Sequence, residues 1–324
     1  MKQIKIQFGI LAFSGIATMM CGGLTSCSKS SGGGSTTPPV TVVTIDGYDS
    51  SGAVAQANLV AYFPLNGNGN DVVGNETGTV VNGTSNVTWT TGVISGHQAY
   101  QGDTTGTYIT CPANANLATL RSVAVSVWIK TPTATKKPGQ GTPGTAAQGI
   151  FFCGTATVPN ELMLENDNND SNQRATDSAN IHFGLDDPGT GTNYQGFVPS
   201  EYAIDTATNG WMHLVMTFDS STSNLIEYVN GVAVGASTAF SNGLYVTPNQ
   251  LLNGPTGTGT AIGSLNFSSS VPSTIIIGTW PIVGLYGLGA PNSFAGAIAE
   301  LRIYNRALSA TEVLALYANG KAGQ

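Results

Sequence analysis

Apolar residues recur in short runs along most of the chain, and in many of these runs they fall at every second position. That is the alternation expected of strands with one buried face. The runs lie at 59–63 (LVAYF), 107–110, 122–130 (SVAVSVWIK), 150–152, 161–165, 181–185, 211–218, 225–229, 274–278 and 297–304. In the longest, Val123, Val125, Val127 and Ile129 share one face, with Ala124, Ser126 and Trp128 on the other. Asn230-Gly231 separates LIEYV from VAV. A two-residue hairpin is expected there, because a type I′ turn needs positive φ at both positions. One helix is expected at the C-terminal end, opened by a capping box from Ser309 to Glu312 and ended by Gly320. The pattern predicts an all-β fold, an antiparallel β-sandwich with one short C-terminal helix. Stretches 131–148, 166–180 and 236–273 are polar, rich in Gly, Thr, Asn and Pro, and are expected to be loops.

The first 26 residues carry a different pattern. Lys2 and Lys5 precede an apolar stretch, 6–20, that is short for a bilayer span and interrupted by Gly and Ser, as in a secretory signal. Leu24-Thr25-Ser26-Cys27 follows and resembles the bacterial lipobox, which implies acylation of Cys27, a lipid anchor in a membrane and, with Ser28 next, the outer membrane. Residues 27–52 are rich in Ser, Gly, Thr and Pro and are expected to be a flexible tether. The domain proper is expected over 53–324.

Composition narrows the function classes. Charged residues make up only 9% of the chain and the net charge is −7, with 11 Lys and Arg scattered along it. No basic surface is available to neutralise phosphates, so nucleic acid is excluded as a partner. Hydrophobic content of 41% suffices for a core. Cys111 and Cys153 are two cysteines beyond the anchor, and in an oxidising compartment they are expected to form a disulfide.

Four stretches together resemble the LamG-like, concanavalin A-like jelly-roll domains of bacterial surface and secreted proteins. These are 59–83 (LVAYFPLNGNGNDVVGNETGTVVNG), 96–109 (GHQAYQGDTTGTYI), VSVWIK with WMHLVMTFD and LIEYVNGVAVG, and 294–313 (FAGAIAELRIYNRALSATEV). The resemblance implies a jelly roll and a binding role toward carbohydrate. It also implies a structural calcium where an early loop meets the last core strand, the matching positions being Asp71 and Glu300. Glu300 is unusual in its own right, because a carboxylate in an apolar strand must find a cation or strong donors.

Other chemistry is sparse. Sugar rings stack on aromatic faces, and the candidates in loops are Trp280, Tyr286, Tyr194, Phe197 and Tyr202. Pro281 stops the strand before Trp280 from continuing as an ordinary ladder, which makes Trp280 the first of these. A glycoside hydrolase of the same fold, with Glu165 and Asp167 as paired carboxylates, is the alternative, but the run from Glu165 to Asp170 departs from the strand-borne ExDxxE arrangement. A protein-binding adhesion domain is the third reading. Gly139 to Gly144 matches GxGxxG without the strand and helix that motif requires. His213 is expected to be a packed strand residue, and His97 and His182 have no partner in a recognisable frame.

Overall fold

The computed structural model describes residues 44–45, 47–83, 86–103, 106–130, 148–155, 162–166, 181–187, 192–197, 210–238, 244–246, 261, 263–267, 271–280 and 293–324. The strands, in chain order, are β1 (Leu59–Phe63), β2 (Thr79–Val81), β3 (Thr88–Thr91), β4 (Gln98–Gln101), β5 (Tyr108–Pro112), β6 (Val123–Lys130), β7 (Gln148–Gly154) and β8 (Leu162–Asn166). They continue with β9 (Ile181–Asp187), β10 (Thr192–Phe197), β11 (Met212–Asp219), β12 (Asn224–Val229), β13 (Val232–Thr238), β14 (Leu244–Val246), β15 (Thr274–Ile277) and β16 (Ala297–Tyr304). Helix α1 covers Ala310–Lys321.

These strands form two eight-stranded sheets. The first runs β13-β12-β11-β6-β16-β4-β3, with β1 also paired to β16, and the second runs β14-β10-β9-β8-β7-β15-β5-β2. The pairings are antiparallel except β10 with β14, which is parallel. The β-sandwich predicted from the alternation is therefore present. Its main core lies between the sheets, where Val123, Val125, Val127 and Ile129 of β6 meet Phe151, Leu164, Phe183 and Ile277 of the other sheet. The opposite face of β6 is also buried: Ala124 joins a second apolar cluster with Val313 and Leu316 of α1, and Trp128 joins a third.

Local chemistry explains the turns. Asn230 and Gly231 both have positive φ, 51° and 80°, and Val229 pairs directly with Val232, as the hairpin motif predicts. The Ser309 side chain accepts from the Glu312 backbone and Glu312 reaches back, so the capping box is formed. Gly320, expected to end the helix, instead lies inside it and is buried. A Cβ there would meet the Trp128 ring at 2.8 Å, so the glycine permits close helix-to-sheet contact, and the positive φ past the helix belongs to Gly323. Two expected boundaries also move. Leu265 and Phe267, inside the expected loop 236–273, are core residues. Tyr48 and Ser51, at the end of the expected tether, pack on the domain, and Ser51 Oγ donates to the Gln324 carbonyl at 2.8 Å.

The expected disulfide is not formed. Ile275 of β15 is the register partner of both Cys111 on β5 and Cys153 on β7. The two cysteines therefore stand two strand spacings apart, about 10 Å, whereas bridged Cα atoms lie within ~7 Å. Both thiols serve as core side chains, and burial pushes Cys111 up to about 11.

His213 and Glu227 are ionisable groups buried in the first sheet. His213 is stacked on Trp128 with ring centroids 4.9 Å apart, and its Nε2 lies 2.8 Å from Ser126 Oγ. Burial, with a smaller contribution from Arg302, lowers it to about 3. Glu227 stands opposite Met216 on the core-facing side of β12, and neither carboxyl oxygen has a hydrogen-bond partner. Burial raises it to about 8.

Both features lead to expected outcomes. Cys111 and Cys153 should each react with a thiol reagent once the protein is unfolded without reductant, and protection that only a reductant lifts would contradict the register. For pH, unfolded chains take up a proton on His213 below about 6.5 that the folded state refuses until about 3, so stability falls as pH drops below 6.5. Unfolded chains release the Glu227 proton above about 4.5 while the folded state keeps it until about 8, so stability falls as pH rises through that window. The two slopes oppose each other between 4.5 and 6.5, leaving a plateau, and each limb is worth at most about 1.4 kcal/mol per pH unit. Melting temperature against pH should show this shape, with Glu227→Gln flattening the limb from 6.5 to 8; an unchanged limb in the variant would refute the assignment.

Candidate functional site

Two polar centres stand out against the apolar sandwich. The first joins β1 to β16 on the outward side of the first sheet. Glu300 has φ of +55° and sits at an irregularity where the β16 to β6 register shifts between Ala299 and Arg302. A left-handed glutamate within a strand stores strain and persists only where its surroundings hold it. Here they do. Glu300 Oε2 accepts from Arg302 Nη2 at 2.7 Å and from the Tyr62 hydroxyl at 2.6 Å, and Oε1 faces His97 Nδ1 at 3.1 Å. The Arg302 guanidinium also lies over the Tyr62 ring, 4.5 Å from its centroid. Burial pushes the Tyr62 hydroxyl well above the usual phenol range, with Arg302 opposing the shift.

Asp71 belongs to the same region through the other end of Tyr62. Its Oδ1 accepts from the backbone N–H groups of Tyr62, Val73 and Gly74 at 2.9, 3.1 and 3.0 Å. Its Oδ2 accepts from Asn114 Nδ2 at 2.7 Å. A side chain at position 74 would overlap the Asp71 carboxylate, so glycine is what lets the loop fold back onto it. The two residues expected to hold calcium are thus engaged separately, Asp71 by N–H donors and Glu300 by a guanidinium, a phenol and an imidazole. Calcium takes six to eight oxygen ligands. Donor hydrogens and a guanidinium directed at these carboxylates do not fit that ion. Among the described residues no group of three or more His, Cys, Asp or Glu converges.

The second centre lies on the side of the second sheet turned away from the core. Strand alternation places it: Leu162 and Leu164 of β8 and Ile181, Phe183 and Leu185 of β9 enter the core, which puts Met163, Glu165 and His182 on the opposite face. Glu165 and His182 are cross-strand partners, and Glu165 Oε1 lies 2.8 Å from His182 Nδ1 with both side chains 5% exposed. Phe152 of β7 pairs with Met163 on the same face. Trp280 packs on Phe152 with ring centroids 4.7 Å apart and planes at 47°.

Trp280 is aimed by the glycines around it. Gly278 turns the chain at φ +93°, where a Cβ would meet the Tyr100 hydroxyl at 2.6 Å. Gly149 leaves room for the Thr279–Trp280 backbone, and isolated bridges tie Ser293 to both Gly149 and Thr279. The half-buried indole is therefore a fixed feature of the sheet end. On β10, the backbone pairs Phe197 with His182, Gln195 with Gly184 and Tyr194 with Leu185. Tyr202, Tyr286, Cys27, Asp167 and the GxGxxG at 139–144 lie outside the described residues.

Chemically, the second centre puts aromatic rings, a carboxylate and an imidazole on one side of the sheet. Such a set stacks on a sugar ring and hydrogen-bonds its hydroxyls. The Glu165–His182 pair was hidden in the sequence, since seventeen positions separate its members. Only the strand register brings them together. The alternation in ELMLE and IHFGL was the available signal, because a glutamate and a histidine occur in phase on runs whose other face is apolar.

Residues 103–261 match a family model, Laminin_G_3, described as the Concanavalin A-like lectin/glucanases superfamily. No curated protein matches the sequence. Among solved structures, botulinum neurotoxin type C, whose cell entry depends on interaction with two ganglioside molecules, matches with a TM-score of 0.52 at 12% identity, over 83% of this chain and 53% of that one. The binding domain of botulinum neurotoxin DC in complex with rat synaptotagmin II matches with a TM-score of 0.51 at 13% identity, over 83% and 52%. Domain 4 of AbnA, a GH43 extracellular arabinanase from Geobacillus stearothermophilus, in complex with arabinotriose, is covered over 98% of its length by 80% of this chain, at 19% identity and a TM-score of 0.47. This chain spans about half the length of the toxin chains. At such identities the likeness is one of fold. With the two sheets, their register and the family match agreeing, the chain has a concanavalin A-like jelly-roll fold, and residues 103–261 are similar to the concanavalin A-like lectin/glucanases superfamily.

Proposed function

We propose that the domain is a non-catalytic module that binds carbohydrate, held at a membrane by an acylated Cys27. The observation that carries this reading is the outward face of the second sheet, where Trp280 packed on Phe152 adjoins the Glu165–His182 pair. Aromatic stacking and a hydrogen-bonding acid placed on a rigid strand are what a sugar ligand requires. Glu165 Oε1 lies 2.8 Å from the His182 imidazole, which holds a hydrogen-bonding carboxylate in a fixed place, as a binding role requires. A neighbour of the same fold is consistent with this, a toxin whose cell entry depends on interaction with two ganglioside molecules. The anchor rests on the lipobox-like sequence alone, and the outer membrane is its expected site.

Two experiments test the reading. On a glycan array, followed by calorimetry with the best oligosaccharide, the wild-type domain should bind. Trp280→Ala and Glu165→Gln should each weaken binding by roughly tenfold or more, with circular dichroism unchanged. A chelator should leave both affinity and melting temperature alone, since Asp71 and Glu300 are held by protein donors. A wild-type domain that binds no glycan overturns the proposal, and a melting temperature that falls under chelation restores the calcium expectation. In cells, Cys27→Ala should shift the protein from the membrane to the soluble fraction; retention in the membrane would refute the anchor.

A further inference from the structure

The outward face of the first sheet carries a row of side chains fixed by strand register, starting two positions along β6 from Trp128. Lys130 of β6 is the register partner of Ala297 on β16, and Ala297 is the partner of Gln101 on β4. The adjacent rung sets the face of the sheet that this row occupies. Ile129, Ile298 and Tyr100 belong to the main core, so the pleat turns Lys130, Ala297 and Gln101 outward. Trp211 joins the row from the other side. Met212 pairs with Ile129 and enters the core, so Trp211, one residue earlier, comes beside Lys130 and faces outward. It packs against the cluster that contains Ala297 and Trp128.

Lys130 is unlike the other cations of the domain. Arg302 is paired with Glu300 and Arg306 with Glu312. Arg121 donates to the Leu120 and Leu265 carbonyls, and Lys321 donates to the Tyr317 hydroxyl. Among the described Lys and Arg residues, Lys130 alone has no side-chain partner. Yet it is half-buried, as are Trp211 and Gln101 beside it. Ala297, between Lys130 and Gln101, is 1% exposed, so the longer side chains stand over it and form the surface there.

Each member of the row specifies part of a ligand. A cation held against a sheet without a counterion attracts an anion, and the attraction is stronger there than in open solvent. An indole offers an apolar face to the C–H face of a sugar ring. The Gln101 amide nitrogen donates to the Gly102 and Ala295 carbonyls at 2.9 and 3.3 Å, which fixes the amide and leaves its oxygen to accept from a hydroxyl. A neutral sugar would leave Lys130 unmatched, and a simple carboxylate would leave the indole unused. A sugar acid uses all of them. We propose that this row is a second carbohydrate site, on the other side of the sandwich from the Trp280 face, and that it takes a uronic acid residue, with its carboxylate on Lys130, its ring on Trp211 and a hydroxyl on Gln101.

The test is calorimetry on the whole protein with trigalacturonate and with its methyl ester, which keeps the rings and removes the charge. Wild type should bind trigalacturonate roughly tenfold or more tightly than the ester. Lys130→Gln should bring the two probes to the same affinity. Trp211→Leu should weaken both, and Trp211→Phe, which keeps an aromatic face, should restore most of the loss. Trp280→Ala should change neither, so this site stands or falls independently of the face on the second sheet. No binding of trigalacturonate, equal affinity of wild type for the two probes, or a preference for the acid that survives Lys130→Gln would each overturn the proposal. So would binding that Trp280→Ala removes, because the uronate would then sit on the second sheet.

Discussion

Strand β16 is buried along its whole length, with both faces covered, and still carries a glutamate and an arginine two residues apart. That constraint organises the first sheet. A strand buried on both sides reads as continuously apolar unless its charges are paired and hydrogen-bonded. The solution is the irregularity at Glu300. By taking a left-handed conformation there, the strand brings Glu300 into reach of Arg302 as well as of Tyr62 and His97. Tyr62 then transmits the arrangement to the Asp71 loop through its backbone N–H. Breaking one member, for instance Arg302, would leave an uncompensated carboxylate in the middle of a strand that holds β1, β4 and β6 together.

The sequence disclosed the sandwich because its long strands carry their own signals. VAVSVWIK separates its two faces cleanly, and Asn-Gly dictates one hairpin without reference to anything else. The short strands β2, β3 and β4 were not legible, because three or four residues such as TVV or QAYQ hold too little alternation and owe their conformation to neighbours. Gly320 misled for a related reason. A glycine near the end of an amphipathic segment signals a helix stop, but here the indole of Trp128 needed the space. The cysteine pair shows the limit of counting: two cysteines in an oxidising compartment invite a bridge, yet only the order of β5, β15 and β7 reveals an intervening strand.

The candidate site was legible in part. Trp280 could be singled out because the following proline interrupts the ladder, and the structure adds the glycines that aim it. Glu165 was noticed for its position in an acidic run. Its spacing to Asp167, which lies outside the described residues, suggested a pair of acids, and the structure adds His182 beside it, brought across the β8 to β9 register. Glu300 was recognised as a residue that needs a cation or strong donors, and the structure places the Arg302 guanidinium, the Tyr62 hydroxyl and the His97 imidazole around it. Partners that depend on register or on a bulge cannot be read from spacing along the chain, and both polar centres depend on one or the other.

The two centres differ in what they can do. The Glu300 network consumes its own hydrogen-bonding capacity: each oxygen of Glu300 is engaged, and Asp71 accepts four bonds. Such a cluster fixes structure. The second centre is built to a different rule, with a half-buried aromatic ring at the sheet end beside an acid and an imidazole held on adjacent strands. Side chains positioned by strand register and by glycine-enforced contacts lose little freedom when a ligand arrives, so binding costs less ordering. Glu165, His182, Phe152 and Trp280 take their positions from the sheet and its turns.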